Sequence, residues 1–294
     1  MTTKITRIKI KMMSTMVFFL VILAAIAHAS WNFLSKKISG NLPIFWLGSM
    51  CINLVLLPFT IVIIAKNGFN WNGAVPIFIS ATFHCFYYIT LFNSYKFGDI
   101  SAAYPISRGT GIALTALVAV FILHDYVSAT GWTGIILIVS GILTVGLSNT
   151  MTKEDITSCL FAFLTGITIA GYSLADSRGA GFNHPVVCIN VMSITSFILV
   201  YPVAFRKGFG KTVRENLDHL PYAPIIGLGS LGTYLIIMYA FSLSNHASYI
   251  VALRECSVIL ASILGFVVLK EKPTKQKIIG IILITAGLVL IKMG

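Results

Sequence analysis

Charge is what this sequence has little of, and acidic charge least of all. Only 10% of its 294 residues are charged, and 9 aspartates and glutamates stand against 21 lysines and arginines. A soluble domain carries about 25% charged residues, so this composition cannot cover a water-facing surface. Cysteine is also sparse. The five thiols, Cys51, Cys85, Cys159, Cys188 and Cys256, show no C-x-x-C spacing and sit mostly in apolar runs, which excludes a disulfide framework and a zinc site. The six histidines are scattered, so neither a metal nor any other cofactor is expected. The net charge of +12 comes from lysines and arginines clustered at the ends of apolar runs. There they meet anionic lipid headgroups, and nucleic acid is not an expected partner.

What is abundant is apolar length, with 57% hydrophobic residues. A bilayer core takes about 20 helical residues, and ten segments qualify: 14–34, 43–65, 73–95, 102–123, 129–148, 157–175, 185–204, 221–242, 247–269 and 275–292. None alternates polar with apolar as a barrel strand would, and lipid offers backbone groups no partner, so the segments are read as helices. Connections are short, such as KFGDIS (96–101), except for RKGFGKTVRENLDHLP (206–221). The basic start, the first apolar run and AHA (27–29) outline a signal peptide. Nine further spans and a counterpart of the first span in the second half argue that it is retained.

An internal repeat organises the chain. A shift of 146 residues lays Tyr88 on Tyr234, Arg108 on Arg254, Leu123 on Leu269, Asp125 on Glu271, Gly134 on Gly280 and Gly141 on Gly287. The opening spans of each half align at a shift of 141, with Trp31 on Tyr172, Ser35 on Asp176 and Lys37 on Arg178. The expected layout is a basic tail (1–13), a five-helix repeat (14–148), a linker (149–156) and a second five-helix repeat (157–292). The fold class is therefore an all-α membrane protein of ten transmembrane helices. An odd number of spans per copy makes the two repeats inverted. Inverted repeats mark secondary transporters, with the substrate site near the midplane where the halves meet.

Two arginines recur at matching places inside spans. A mid-membrane charge costs at least about 2.5–3.5 kcal/mol on insertion scales, so it marks function or a paired structural site. Arg254 precedes the small-residue row Ser257, Ala261, Gly265, and Arg108 precedes Gly111, Thr115, Ala119. Each arginine thus shares a face that packs against protein. Glu255 lies about 100° round the helix from Arg254, so these neighbours cannot pair well with each other. It is the only acidic residue placed clearly inside a span, and its counterpart is Gly109. Arg108 and Arg254 are expected to attract an anionic group. Glu255, His28 or His84 is expected to take a coupling proton, histidine because it titrates near neutral pH. Trp31, Asn32, Tyr88, Tyr172 and Tyr234 are expected to line the cavity. Snorkelling arginines, belt tyrosines and histidines that simply satisfy interhelical hydrogen bonds are the structural alternatives. GLGSLG (227–232) spells a nucleotide-binding fingerprint but lacks its βαβ context, so its glycines are read as helix packing. No nucleophile with a partnered base is evident, so an enzyme is not expected.

The stretches AAIAHASWNFLSKK (24–37) and YIVALRECSVILASILGFVVLKEKPTKQKIIGIILITAGLVLI (249–291) resemble the EamA family of the drug/metabolite transporter superfamily. Glu271, Thr274, Gln276 and Gly280 hold the family's pattern at the end. The first half departs from it, with Asp125 for the glutamate and Thr130 for the glutamine. The resemblance implies two tandem units, alternating access to a central cavity, both termini in the cytoplasm and a place in the cell (inner) membrane. It also implies transport of small metabolites such as amino acids or other carboxylate-bearing compounds, often outward. The count of positive charges runs the other way. Seven lie on the side of the termini and twelve opposite, although four of the seven crowd the N-terminal tail and the first span often sets orientation. A non-transporting sensor or assembly partner is the alternative. What separates the two is whether polar side chains from both halves converge on a cavity.

Overall fold

Lipid leaves helices as the economical way to satisfy these backbone groups, and the local sequence marks where they start and stop. In N-L-P, Asn41 accepts a hydrogen bond from the Ile44 amide at 3.2 Å while Pro43 occupies the first turn, where it needs no donor. Gly68, at φ +75°, ends that helix and returns its N–H to the Ile64 carbonyl at 2.8 Å. In N-H-P, His184 Nδ1 accepts from the Val186 amide at 3.2 Å and Pro185 opens the next repeat's corresponding helix.

The computed structural model describes residues 14–37, 41–97, 100–122, 124, 126–146, 153–244, 247–257, 260, 267 and 275–293. The helices are α1 Thr15–Lys37, α2 Leu42–Asn67, α3 Ala74–Phe97, α4 Ile100–Phe121, α5 Ala129–Gly146, α6 Lys153–Gly179, α7 Pro185–Ala204, α8 Phe209–Arg214, α9 Ala223–Leu243, α10 Ala247–Arg254 and α11 Lys275–Met293. Among the described residues no strand occurs. Five helical segments are long and apolar enough to cross a bilayer: Leu42–Asn67, Trp71–Ser94, Ile156–Gly179, Pro185–Ala204 and Leu217–Leu243. Four shorter apolar ones, Thr15–Trp31, Ile106–Phe121, Ala129–Thr144 and Ile278–Ile291, coincide with further expected spans. Residues 258, 259, 261–266, 268 and 269 of the expected ninth span lie outside the described residues, as do the tail 1–13, Leu123, Asp125, Glu271 and Thr274. The long connection 206–221 is not featureless. It holds α8 and a 3₁₀ turn, Leu217–Tyr222.

The outer surface is apolar. Phe59, Phe78, Ile136, Ile198 and Leu228 are exposed, while Arg108, Arg254, Glu255, His28, His84 and Asp176 are buried. Such an apolar exterior around polar groups fits a protein whose solvent is lipid. The two halves interlock: α3 packs on α6 and α7, α4 on α6, α1 and α2 on α9, and α10 on α4. The fifth helices of the halves, α5 and α11, pack along each other. Gly134 faces Gly287 and Gly141 faces Gly280, so that an added methyl would lie 2.8 Å from the Gly287 carbonyl oxygen or 2.6 Å from that of Gly280. The glycines that align in sequence (134 with 280, 141 with 287) are thus cross-paired, and the two helices run antiparallel. Gly227 of GLGSLG lies against the Gly48 backbone and Gly229 against Trp31, as close helix packing requires.

Candidate functional site

The buried polar groups converge on a cavity of about 50 Å³ between the halves, room for a few waters. The first repeat lines it with His28 and Trp31 of α1, His84, Tyr87 and Tyr88 of α3, and Arg108 of α4. From the second repeat come Tyr172 of α6, Met192 and Ser193 of α7, Ser230, Thr233 and Tyr234 of α9, and Arg254 of α10. Polar side chains therefore converge from both halves.

The two arginines stand in different environments. Arg108 Nη1 lies 3.5 Å from Glu255 Oε1, and both side chains are at most 3% exposed. This ion pair crosses the repeats, and it gives Glu255 the partner that its neighbour Arg254 cannot supply. Arg108 Nη2 sits 2.7 Å from His28 Nε2. A guanidinium can only donate, so Nε2 of His28 accepts and this imidazole carries its hydrogen on Nδ1. Glu255 Oε2 is buried without a hydrogen-bond partner. Arg254 has no carboxylate within 4 Å among the described residues. Its Nη2 donates to the Tyr172 hydroxyl at 3.3 Å, its guanidinium carbon stands 5.8 Å from the Tyr172 ring centre, and its Nε has no partner. Helix α10 ends where these charges stand, and the Glu255 amide bonds three residues back, to the Ala252 carbonyl at 3.1 Å.

Rings supply most of the remaining wall. His84 stacks on Tyr172 at 4.1 Å between centres and meets Tyr234 edge-on at 4.9 Å. His84 Nδ1 lies 3.0 Å from the Ser80 carbonyl, an acceptor only, so Nδ1 carries the hydrogen and Nε2 is left as the basic nitrogen. Trp31 meets His28 edge-on at 5.1 Å, and its Nε1 is buried without a partner. Tyr88 stacks on Phe197. The side chain of Asn32 lies outside the described residues. Trp31, Tyr88, Tyr172, Tyr234, His28, His84, Arg108 and Arg254 thus share one cavity, with Glu255 behind Arg108.

One acidic residue corrects the sequence reading, which places Glu255 alone inside a span. Asp176 is also buried, because α6 runs on to Gly179, past the expected end at 175. It accepts a hydrogen bond from the Tyr234 hydroxyl. The signal was present: Asp176 stands four residues after Tyr172 with no helix breaker between them, so the two share a face. Ser193, Ser230 and Thr233 were not foreseen either, since hydroxyls in apolar helices bond their own backbone so readily that they single nothing out.

The sequence pattern of the EamA-like transporter family matches residues 15–147 and again 156–293. A protein of Lactococcus lactis subsp. lactis named "Putative sugar uptake protein YxfA" is 22% identical over 92% of this chain and 97% of its own length. A solved crystal structure superposes with a TM-score of 0.64 over 94% of this chain and 95% of its own, at 16% identity, a likeness of fold. With two family units spanning nearly its whole length, the chain belongs to the EamA-like transporter family of membrane transporters.

Proposed function

We propose that the protein is a secondary transporter for a small polar metabolite bearing a carboxylate, bound at the midplane by Arg254. The observation that carries this reading is the buried guanidinium of Arg254, which lines the cavity with no carboxylate within 4 Å among the described residues, while Arg108 has Glu255 at 3.5 Å. An uncompensated buried charge is costly unless a partner arrives. The aromatic walls then hold the substrate's apolar parts, and Asp176, through Tyr234, fixes the hydroxyl that faces the ligand. Ten helices in two inverted repeats suit this reading, and the antiparallel α5–α11 pair supports it.

Glu255 takes the coupling proton in this proposal. Its charge faces Arg108 from α4, with His28 of α1 behind that arginine and Arg254 beside it in sequence. Protonation removes the ion pair and leaves two cationic guanidiniums for one anion. Proton and anion therefore bind with positive coupling, which by linkage is reciprocal. Anion binding should draw a proton from solution in the wild type and not in Glu255→Gln. Calorimetric titration in buffers of different ionisation enthalpy checks it, and equal proton uptake by the variant removes Glu255 from the role.

The test of the substrate class is a thermal-stability screen of wild type and Arg254→Gln against small carboxylates and neutral sugars. At ~100 times its dissociation constant a ligand stabilises the folded state by about 2.7 kcal/mol. Stabilisation of the wild type alone by a carboxylate supports the assignment. Stabilisation of both proteins by a neutral sugar supports a second reading, favoured by the ring-lined cavity and by the name of the Lactococcus relative. In that case the rings stack on the sugar and Arg254 serves its hydroxyls. The same proposal puts both termini in the cytoplasm and the protein in the cell membrane, which the basic tail and the family support. Impermeant labelling of cysteines introduced at positions 3 and 210 tests this, and labelling at 3 from outside intact cells reverses it. Direction follows the coupling gradient, and accumulation in right-side-out against inverted vesicles reads it.

A further inference from the structure

Two asparagine contacts join the repeats, and they stand at opposite ends of the bundle. Asn41 lies just before α2 and Asn70 just after it. Helix α2 has 26 residues, about 39 Å of rise, so the two asparagines are separated by its length. At one end Asn41 Nδ2 donates to Asn216 Oδ1, in the turn between α8 and α9. At the other, the Asn70 amide donates to Asn183 Oδ1 at 2.9 Å, and Asn183 Nδ2 donates back to the Asn70 carbonyl at 3.0 Å. Each contact ties a connection of the first repeat to a connection of the second.

The four residues are related by the internal repeat. Asn41 in N-L-P corresponds to Asn183 in N-H-P at a shift of 142, and Asn70 corresponds to Asn216 at a shift of 146. Asn70 and Asn216 each precede a 3₁₀ turn, Trp71–Gly73 and Leu217–Tyr222. The pairing Asn41–Asn216 therefore maps onto Asn183–Asn70: equivalent residues meet at each end, side chain to side chain at one and side chain to backbone at the other. We propose that these are twin latches, one on each face of the membrane, and that alternating access consists of opening one while the other stays closed.

The asparagines are half-buried or exposed, so each can exchange its partner for water as it opens, and no buried polar group is orphaned on the way. Hydrogen bonds of this kind are strong enough to hold a gate and weak enough for ligand binding to bias it. With one hydrogen bond at one end and two at the other, neither latch outweighs the other by much, and both open states stay populated as a carrier requires if it is to return. Both are closed here, and the cavity between them is small.

The experiment places a reporter in the cavity, Ser230→Cys, and measures its labelling by an impermeant maleimide in right-side-out and in inverted vesicles, relative to the parent chain. Labelling needs no substrate, so its outcome is independent of which compound the cavity takes. Asn183→Ala should raise reporter labelling about threefold to tenfold from the Asn70–Asn183 face and lower it from the other. Asn41→Ala should do the reverse. In folded protein, oxidising Asn70→Cys/Asn183→Cys should close one face to the reagent, and oxidising Asn41→Cys/Asn216→Cys the other, each reversed by reductant. Labelling from a cross-linked face, both alanine variants opening the same face, or no change in either variant would overturn the proposal.

Discussion

Glu255 and Arg108 form a structural ion pair that the proposed function also puts to use. Both are almost wholly buried, and they meet at 3.5 Å. Removing one partner of such a pair is expected to cost about 3–5 kcal/mol, because the other charge stays behind in a medium that solvates it poorly. Arg108→Gln should therefore lower stability by that amount, and Arg108→Gln with Glu255→Gln should recover most of it. Denaturation of the four proteins of this cycle in detergent measures the coupling, and additive effects would show that the pair is not energetically linked. Tyr234→Phe takes the hydroxyl from Asp176 and should cost about 1–3 kcal/mol by leaving a buried carboxylate short of a donor. Asp176→Asn should cost less, since its amide oxygen still accepts. These residues were not equally legible in the sequence. Arg108, Arg254 and Glu255 stood out because full charges interrupt apolar runs, and the repeat put the arginines in register. The cross-repeat partner of Glu255 was not legible, since which helices touch is decided by packing. Asp176 was missed because a hydropathy window ends where polar residues gather, and backbone hydrogen bonding does not.

At the scale of helices, close approach is set by glycine. The α5–α11 contact brings Gly134 and Gly287 together with no room for a side chain, the obstacle in each case being the other's carbonyl oxygen. Backbone cannot rotate away as a side chain can, so Gly134→Val must push the helices apart. Overpacking of this kind costs about 1–3 kcal/mol. Gly232→Ala, also helical but with nothing within 4 Å of its added carbon, should change stability by no more than about 1 kcal/mol. Thermal unfolding of the two variants side by side checks this, and equal losses would mean that the crossing is not tight. The helices themselves were largely readable, since apolar length, N-x-P starts and a terminal glycine are local signals. Their cross-pairing was half-readable. The spaced glycines aligned at 146 residues, but only an antiparallel crossing joins 134 to 287 rather than to 280.

For the whole molecule, the decisive feature is a cavity too confined for easy entry, held between halves joined at both ends. About 50 Å³ holds a few waters, whereas sites that enclose drug-sized ligands run to about 300–1,000 Å³. If Arg254 binds the substrate as proposed, a metabolite must therefore wait for an opening before it can reach it. Binding that waits for a conformational step has a rate that saturates with ligand concentration, while simple docking gives a rate that climbs linearly. Trp31, on the cavity wall with its indole nitrogen unpartnered, is the natural reporter, and Trp31→Phe is the control that should remove the signal. Stopped-flow mixing with a ligand found in the stability screen should give an observed rate that levels off at high concentration. Asn183→Ala should raise that plateau when ligand is offered from the Asn70–Asn183 face. A rate that rises linearly to millimolar ligand would mean that the closed arrangement is not the one ligand meets, and that opening at either end precedes and outpaces binding.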